Sequence, residues 1–150
     1  MPWKGGKVMI PLKEFQKVGI FKPLSKKMIE ELAAIGDITT GKEGEYLFHD
    51  GDLAENFYII KEGKVILEFE QPDGSINTET VGPGMGVGCS SLAGLPRCNA
   101  HGRCEEASRF LHWRQTTLQQ LFKEDSRLGY LLIRASSKRL SRRISGKLHE

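Results

Sequence analysis

Residues 44–65 read Gly44-Glu-Tyr-Leu-Phe-His-Asp-Gly-Asp-Leu-Ala-Glu-Asn-Phe-Tyr-Ile-Ile-Lys-Glu-Gly-Lys-Val65. Two short, largely apolar runs, at residues 45–48 and 56–61, are separated by Asp50-Gly51-Asp52 and followed by Glu62-Gly63. Short runs of this kind bounded by turn-forming residues are typical of β-strands, and a Glu-Gly pair suits a tight hairpin. The stretch therefore predicts two neighbouring strands joined by compact turns.

The strand-like pattern continues on both sides of this stretch. Further runs lie at residues 37–40, 64–70, 76–81, 101–104 and 109–113. Many short strands separated by turn residues favour a closed or double-layered antiparallel structure. We predict a mainly β fold, an antiparallel jelly-roll β-barrel with flanking helices.

Helical periodicity precedes the strands. Residues 11–21 predict a short helix that runs into a turn, and residues 26–35 predict an amphipathic helix. Ser25 suits the N-cap of this second helix, and Gly36 suits its C-terminal stop. The barrel is therefore expected to follow N-terminal helices.

Helical periodicity returns at residues 117–122, and a long helix is expected from about Asp125. Its apolar stripe is thin and its other faces are basic, which is typical of a helix that packs on a partner helix or over a barrel mouth. We expect an N-terminal extension at residues 1–17, a barrel domain at 18–124 and a C-terminal lid or dimerisation helix at 125–150.

The composition sets outer limits on the class of protein. The chain has 150 residues, of which 39% are hydrophobic and 27% charged, with a net charge of +3. These values are ordinary for one globular domain, and they do not demand a nucleic-acid partner. No apolar run reaches the ~18 residues of a membrane span, and three cysteines do not suggest a disulfide framework. We expect a cytoplasmic protein.

A second stretch carries the chemistry: Gly84-Met-Gly-Val-Gly-Cys-Ser-Ser-Leu-Ala-Gly-Leu-Pro-Arg97. Its glycines allow backbone amides to approach a ligand closely, and Arg97 offers a fork of donors for phosphate or carboxylate. We expect Arg97 and the backbone amides of residues 88–91 to hold a small anion from two sides. The plain alternative is that the glycines serve a kinked strand and Arg97 is a surface residue.

The two stretches together resemble the cyclic nucleotide-binding domain family, whose members include the catabolite activator protein and the regulatory subunit of protein kinase A. In the first stretch, the residues that carry the resemblance are Gly51, Asp52, Phe57, Tyr58, Ile59, Ile60, Gly63 and Val65. In the second, Gly84, Gly88, Leu92, Pro96 and Arg97 fall where the family has its phosphate-binding cassette. The resemblance covers residues 18–148.

The resemblance implies a ligand site. The residues expected there are Gly86, Val87, Gly88, Cys89, Ser90, Ser91, Arg97, Cys98, Asn99, Arg143 and Ile144. In the family the arginine binds the exocyclic phosphate oxygens, and the helix after the barrel caps the base and often forms a dimer seam. One departure concerns Cys89, which stands where the family has a glutamate that accepts a hydrogen bond from the ribose 2′-hydroxyl. A thiol is a weak acceptor.

The resemblance implies a non-catalytic regulatory domain. It would bind cyclic AMP, cyclic GMP or a similar small anionic ligand and shift the C-terminal helix, through which a homodimer could also form. The alternative is a degenerate member that binds no nucleotide and acts as a protein-interaction module. We expect no membrane partner, and no nucleic acid either, since no residues follow Glu150 to form a helix-turn-helix domain.

Metal and catalytic sites are not expected. Cys98, His101 and Cys104 have a spacing reminiscent of metal ligands, but strand alternation would point His101 away from the two cysteines. If fully extended, the two cysteines would be about 20 Å apart. His49 lacks the partners of a cupin metal site, and no catalytic triad or HExxH spacing occurs. We therefore expect no enzyme activity, no metal and no cofactor.

Overall fold

The computed structural model describes residues 9–136, and it describes Cys89 and Ser90 by their backbone alone. Within these residues, eight antiparallel strands form two four-stranded sheets, which confirms the predicted jelly-roll barrel with flanking helices. The strands are Asp37–Gly41 (β1), Tyr46–Phe48 (β2), Asn56–Glu62 (β3), Val65–Glu70 (β4), Ile76–Val81 (β5), Gly86–Val87 (β6), His101–Cys104 (β7) and Ser108–Arg114 (β8). The sheet orders are β1-β8-β3-β6 and β2-β7-β4-β5.

Strand β3 separates two hydrophobic cores because its side chains alternate between the two faces of its sheet. Phe57 and Ile59 pack among the helices, whereas Ile60 packs in the space between the two sheets. Strand β8, paired with β3, divides its residues in the same way, with Trp113 on the helical side and Phe110 between the sheets. An apolar run that is buried on both faces is therefore what this central position requires.

The helices lie outside the barrel. Two short 3-10 helices, Leu12–Phe15 and Gly19–Phe21, precede α1 (Lys26–Ile35), α2 (Cys89–Leu92), α3 (Gln115–Glu124) and α4, which is helical over residues 126–136. The short helix predicted within residues 11–21 is the first 3-10 helix, and it runs into a turn at Lys17, where φ is +65° and a right-handed helix cannot continue. The second 3-10 helix after this turn was not predicted. The predicted extension of α4 beyond residue 136 lies outside the described residues.

The predicted helix ends are confirmed where caps are visible. The Ser25 hydroxyl accepts a hydrogen bond from the Met28 amide at 3.2 Å, and α1 ends at Gly36. Asp125 caps α4 in the same manner, since its carboxylate accepts a hydrogen bond from the Leu128 amide at 3.1 Å. Each cap satisfies one amide that a helix start leaves without a partner inside the helix.

Trp113 joins the helices to the barrel. Its side chain is buried, and its indole N–H donates a hydrogen bond to the Leu32 carbonyl of α1 at 2.9 Å. Ile10 and Phe15 lie in the same cluster. Leu128 and Leu132 of α4 also pack here. No helix within residues 9–136 is both long enough and apolar enough to cross a bilayer.

The hydrogen bond of Trp113 provides a first test of this packing. Trp113→Phe removes the donor to the buried Leu32 carbonyl and also leaves a small void, so we expect the free energy of unfolding to fall by at least about 1–3 kcal/mol. Urea unfolding followed by circular dichroism measures this change. Tyr130→Phe, which alters an exposed ring, should change stability by less than about 0.5 kcal/mol. Equal stabilities of the two variants would contradict the role of Trp113.

Two glycines that flank β6 provide a second test. Gly84 has φ +87° with open space around its Cα, whereas Gly88 has φ +82° and an added Cβ would collide with the Asn56 carbonyl. Gly84→Ala incurs the left-handed backbone cost alone, about 1–2 kcal/mol. Gly88→Ala adds a backbone collision, so its melting temperature should fall clearly further than that of Gly84→Ala. Matching losses would show that Asn56 does not constrain Gly88.

Candidate functional site

The glycines of the predicted cassette are required by the packing of β6. Gly86 pairs with Ile59, and a Cβ on Gly86 would lie 3.1 Å from the Phe57 ring. Gly88 turns the chain out of β6 directly against the Asn56 carbonyl, while Val87 is buried between the sheets. The alternative stated from the sequence, that the glycines serve a kinked strand, therefore accounts for Gly86 and Gly88 without reference to a ligand.

Helix α2 directly follows Gly88, and hydrogen bonds of its backbone join it to Gly88 and to Gln119. The Ser91 amide donates to the Gly88 carbonyl at 2.9 Å, so this amide is already engaged within the protein. The Ser91 side chain is fully buried, and its hydroxyl has no hydrogen-bond partner among the described residues. The Gln119 side-chain amide of α3 donates to the carbonyls of Ser91 at 3.4 Å and Leu92 at 3.2 Å. Helix α2 is thus joined to α3.

Arg97 is held at the other edge by backbone pairing. The chain from Pro96 to Cys98 runs beside the loop between β2 and β3: the Cys98 amide donates to the Asp52 carbonyl at 2.9 Å, and the Gly51 amide donates to the Cys98 carbonyl at 3.0 Å. Arg97 itself pairs with Leu53 in an isolated bridge. This ladder fixes where the Arg97 side chain leaves the backbone.

The Arg97 side chain is exposed and lightly bonded. One guanidinium nitrogen, Nη1, donates to the Gly51 carbonyl at 2.9 Å. None of the ion pairs recorded among residues 9–136 includes Arg97. A guanidinium has five N–H donors, so most of its capacity remains for an anion. The carbonyl bond orients the group without neutralising its charge.

A cavity of about 270 Å³ lies beside this ladder. Its lining residues are Leu47, Phe48, Asp52, Leu53, Glu55, Asn56 and Cys98. Of the residues predicted for the site, Cys98 lines the cavity directly. The backbone of Arg97 pairs with the lining residue Leu53, and the backbone of Gly88 lies against that of the lining residue Asn56. Both predicted segments thus contact residues that line the cavity.

The other lining residues were missed by sequence reasoning. Leu47 and Phe48 carry an ordinary strand pattern, which gives no sign that they face a cavity. Asp52 was noted as part of a turn and of the family resemblance, but it was not predicted as a site residue. The remaining predicted residues are placed differently: Asn99 is exposed, and Arg143 and Ile144 lie outside the described residues.

The charges around the cavity are unequal. Arg97 is cationic, while the acidic residues Asp52 and Glu55 are among those that line the cavity. One oxygen of the Asp52 carboxylate already accepts a hydrogen bond from the His49 amide at 2.9 Å. Burial raises the pKa of the Cys98 thiol, and the Asp52 and Asp50 carboxylates raise this pKa further. Cys98 is therefore a neutral thiol at pH 7 rather than a reactive thiolate. A ligand with an anionic end and a hydroxyl-bearing end suits this arrangement, because carboxylates accept hydrogen bonds from hydroxyls.

Solved structures with this fold include several nucleotide-binding proteins and regulators. A candidate cyclic nucleotide-binding protein from Geobacter metallireducens GS-15 has a TM-score of 0.79 and 21% identity, over 91% of this chain and 99% of that one. The N-terminal domain of a transcriptional regulator from Streptomyces coelicolor A3(2) has a TM-score of 0.69 and 29% identity, over 86% of this chain and 93% of that one.

A third neighbour is the regulatory subunit of a cAMP-independent protein kinase A from Trypanosoma cruzi, bound to guanosine. Its TM-score is 0.69 at 19% identity, over 75% of this chain and 40% of that one. No match to a curated protein was found. The family model of the cyclic nucleotide-binding domain matches residues 39–125, which include all eight strands found in the described residues except the first two residues of β1. The chain therefore belongs to the cyclic nucleotide-binding domain family.

Proposed function

We propose that this domain is a non-catalytic regulatory module that binds a small anionic ligand, a cyclic nucleotide such as cyclic AMP or cyclic GMP, beside Arg97. The observation that carries the proposal is the state of Arg97. Its guanidinium is oriented by the Gly51 carbonyl and has no carboxylate partner among residues 9–136, and its backbone pairs with Leu53, which lines the cavity. An oriented and unneutralised arginine is suited to a phosphate.

The α2 segment completes the anion site in this proposal. With the Ser91 amide engaged by Gly88, the backbone amides of Cys89 and Ser90 are the donors that we assign to the phosphate. The phosphate would then lie between these amides and Arg97. The buried Ser91 hydroxyl, which has no partner among the described residues, is a further donor for the ligand.

The cavity wall supplies the sugar contacts in this proposal. Asp52 and Glu55 line the cavity, and we assign them as the acceptors for ligand hydroxyls. They would take the role of the glutamate that Cys89 replaces. The raised pKa of Cys98 keeps its thiol neutral, so it adds no repulsion toward an anion. The Trypanosoma cruzi neighbour, solved with guanosine, supports testing nucleosides beside cyclic nucleotides.

The regulatory step would pass through α2 and α3. Gln119 joins α3 to the carbonyls of Ser91 and Leu92, and Leu92 packs in the same cluster as Leu128 and Leu132 of α4. A ligand that repositions α2 therefore changes the surface on which α4 packs. We further propose that Arg143 and Ile144, on the predicted extension of α4, meet the base, and that two copies associate through this helix.

Arg97→Ala tests the proposal. Cyclic AMP, cyclic GMP or guanosine should raise the melting temperature of the wild type, measured by differential scanning fluorimetry. Removal of charge-assisted hydrogen bonds to a phosphate costs about 1.5–3 kcal/mol, so the affinity for the cyclic nucleotides should fall tenfold to a hundredfold in the variant. Guanosine lacks the phosphate, so any shift it causes should survive.

Arg103→Ala is the matched control, because Arg103 already faces Glu68 at 3.7 Å on the other sheet. Its ligand-induced shift should equal that of the wild type. Absence of a shift in the wild type at millimolar concentrations of both cyclic nucleotides would contradict the cyclic-nucleotide proposal. An equal loss in both arginine variants would contradict the assignment to Arg97.

The degenerate, protein-binding alternative is favoured by a different observation. Leu53 and Leu95, both near Arg97 in the chain or in space, are 56% and 55% exposed. In that case calorimetry with the same three compounds would give no heat of binding. A Leu53→Ser, Leu95→Ser double variant would then lose a protein partner while keeping its fold.

A further inference from the structure

Two histidines that are distant in sequence meet on the second sheet. His49 directly follows β2 and His101 begins β7, and these strands are neighbours, with Phe48 opposite Gly102. The Nδ1 atoms of the two imidazoles lie 3.4 Å apart. The His49 ring is held by stacking on Tyr46, with ring centroids 4.6 Å apart. The two nitrogens are thus brought together by fixed side chains.

Hydrogen bonds determine which nitrogen of His101 carries the proton. The Asp50 amide donates to Nδ1 of His101 at 3.1 Å, so this atom must present a lone pair. Nε2 therefore carries the hydrogen and donates to the Glu70 carboxylate at 2.9 Å. A metal-binding histidine usually has this arrangement, with its second nitrogen donating to a carboxylate that fixes the tautomer and the ring orientation.

The separation of the two Nδ1 atoms fits a shared metal ion. Zinc binds imidazole nitrogen at about 2.0–2.1 Å, so two such ligands in a tetrahedral site are about 3.3–3.4 Å apart. Carboxylates are also nearby, since Asp50, Glu70 and His101 each offer one donor atom and these atoms lie within 4.8 Å of one another. His49 is not a member of this group, so the exposed Asp50 side chain must turn toward His49 to share an ion with it.

We propose that His49 Nδ1, His101 Nδ1 and the Asp50 carboxylate bind a divalent transition-metal ion, zinc, and that Glu70 orients His101 from outside the ligand set. The ion replaces the Asp50 amide at the Nδ1 lone pair of His101, and His49 then carries its proton on Nε2. Imidazole and carboxylate ligands suit zinc. His101 is partly exposed and His49 exposed, so a water molecule can take the fourth position.

This site differs from the Cys98, His101 and Cys104 set that the sequence spacing suggests. Cys104, the third member of the Cys98, His101 and Cys104 set, is fully buried between the sheets. Its pKa is raised by burial, which disfavours the thiolate that binds metal. The partner of His101 comes instead from the neighbouring strand, through a pairing that spacing along the chain does not reveal. The expectation of no metal site was reached without this pairing.

The experiment is a titration of the wild-type domain with zinc chloride, followed by calorimetry and by long-range ¹H–¹⁵N spectra of the imidazoles. We expect one ion per chain. The ¹⁵Nδ1 resonances of His49 and His101 should shift on binding, while those of His112, which lies on β8 and contacts Asn56, should not. No binding at 1 mM zinc, or coordination through Nε2, would overturn the proposal.

Variants separate this site from thiols and from other histidines. His49→Ala and His101→Ala should each weaken zinc binding at least tenfold, and Glu70→Gln should weaken it about tenfold to a hundredfold with unchanged stoichiometry. His112→Gln and Cys98→Ser are the controls, and both should bind zinc as the wild type does. Loss of binding in Cys98→Ser, or full binding in His49→Ala, would overturn the assignment. Melting temperatures without zinc show whether each variant folds.

Discussion

A short backbone ladder between residues 51–54 and 96–98 is the constraint on which both candidate sites depend. Its hydrogen bonds join Gly51 to Cys98, Cys98 to Asp52 and Ala54 to Pro96, at 2.9–3.0 Å. Both segments are connections rather than regular strands, and they would otherwise have considerable backbone freedom. Because the ladder ties them together, it places Arg97 beside Leu53, which lines the cavity. It also places the His49–Asp52 turn beside the start of β7.

The interior is divided into two cores, and each core holds a different set of elements together. The core between the sheets holds β3, β4 and β7 together, whereas the helical core contains α1, α3, α4 and Leu92 of α2. Helix α2 therefore lies between the closely packed barrel and the packed helices, so a change in the position of α2 would act on both. Helices that pack through a shared cluster can shift together more readily than strands whose backbones are hydrogen-bonded. This packing is the route by which the proposed ligand site at α2 would act on α4.

The sequence predicted most of the barrel because its strands are short apolar or alternating runs between turn residues, such as the apolar run of β3. It did not predict β6, since two residues carry no period. The cavity could not be predicted for a similar reason: its lining residues, such as Leu47 and Asn56, come from segments that only the fold brings together, and no local pattern marks them. The meeting of His49 and His101 depends on pairing between β2 and β7, some 50 residues apart, and only the fold reveals it.

Glycine and arginine in the cassette carry different information about function. Gly86 and Gly88 are required by the approach of β6 to Phe57 and to the Asn56 carbonyl, so a member that binds nothing would need them equally. Arg97 is different, because its position is fixed by the backbone ladder while its side chain contributes one exposed hydrogen bond to the fold. Folding therefore explains where Arg97 stands but not why its side chain is an arginine. That choice of side chain is better explained by an anion than by the barrel.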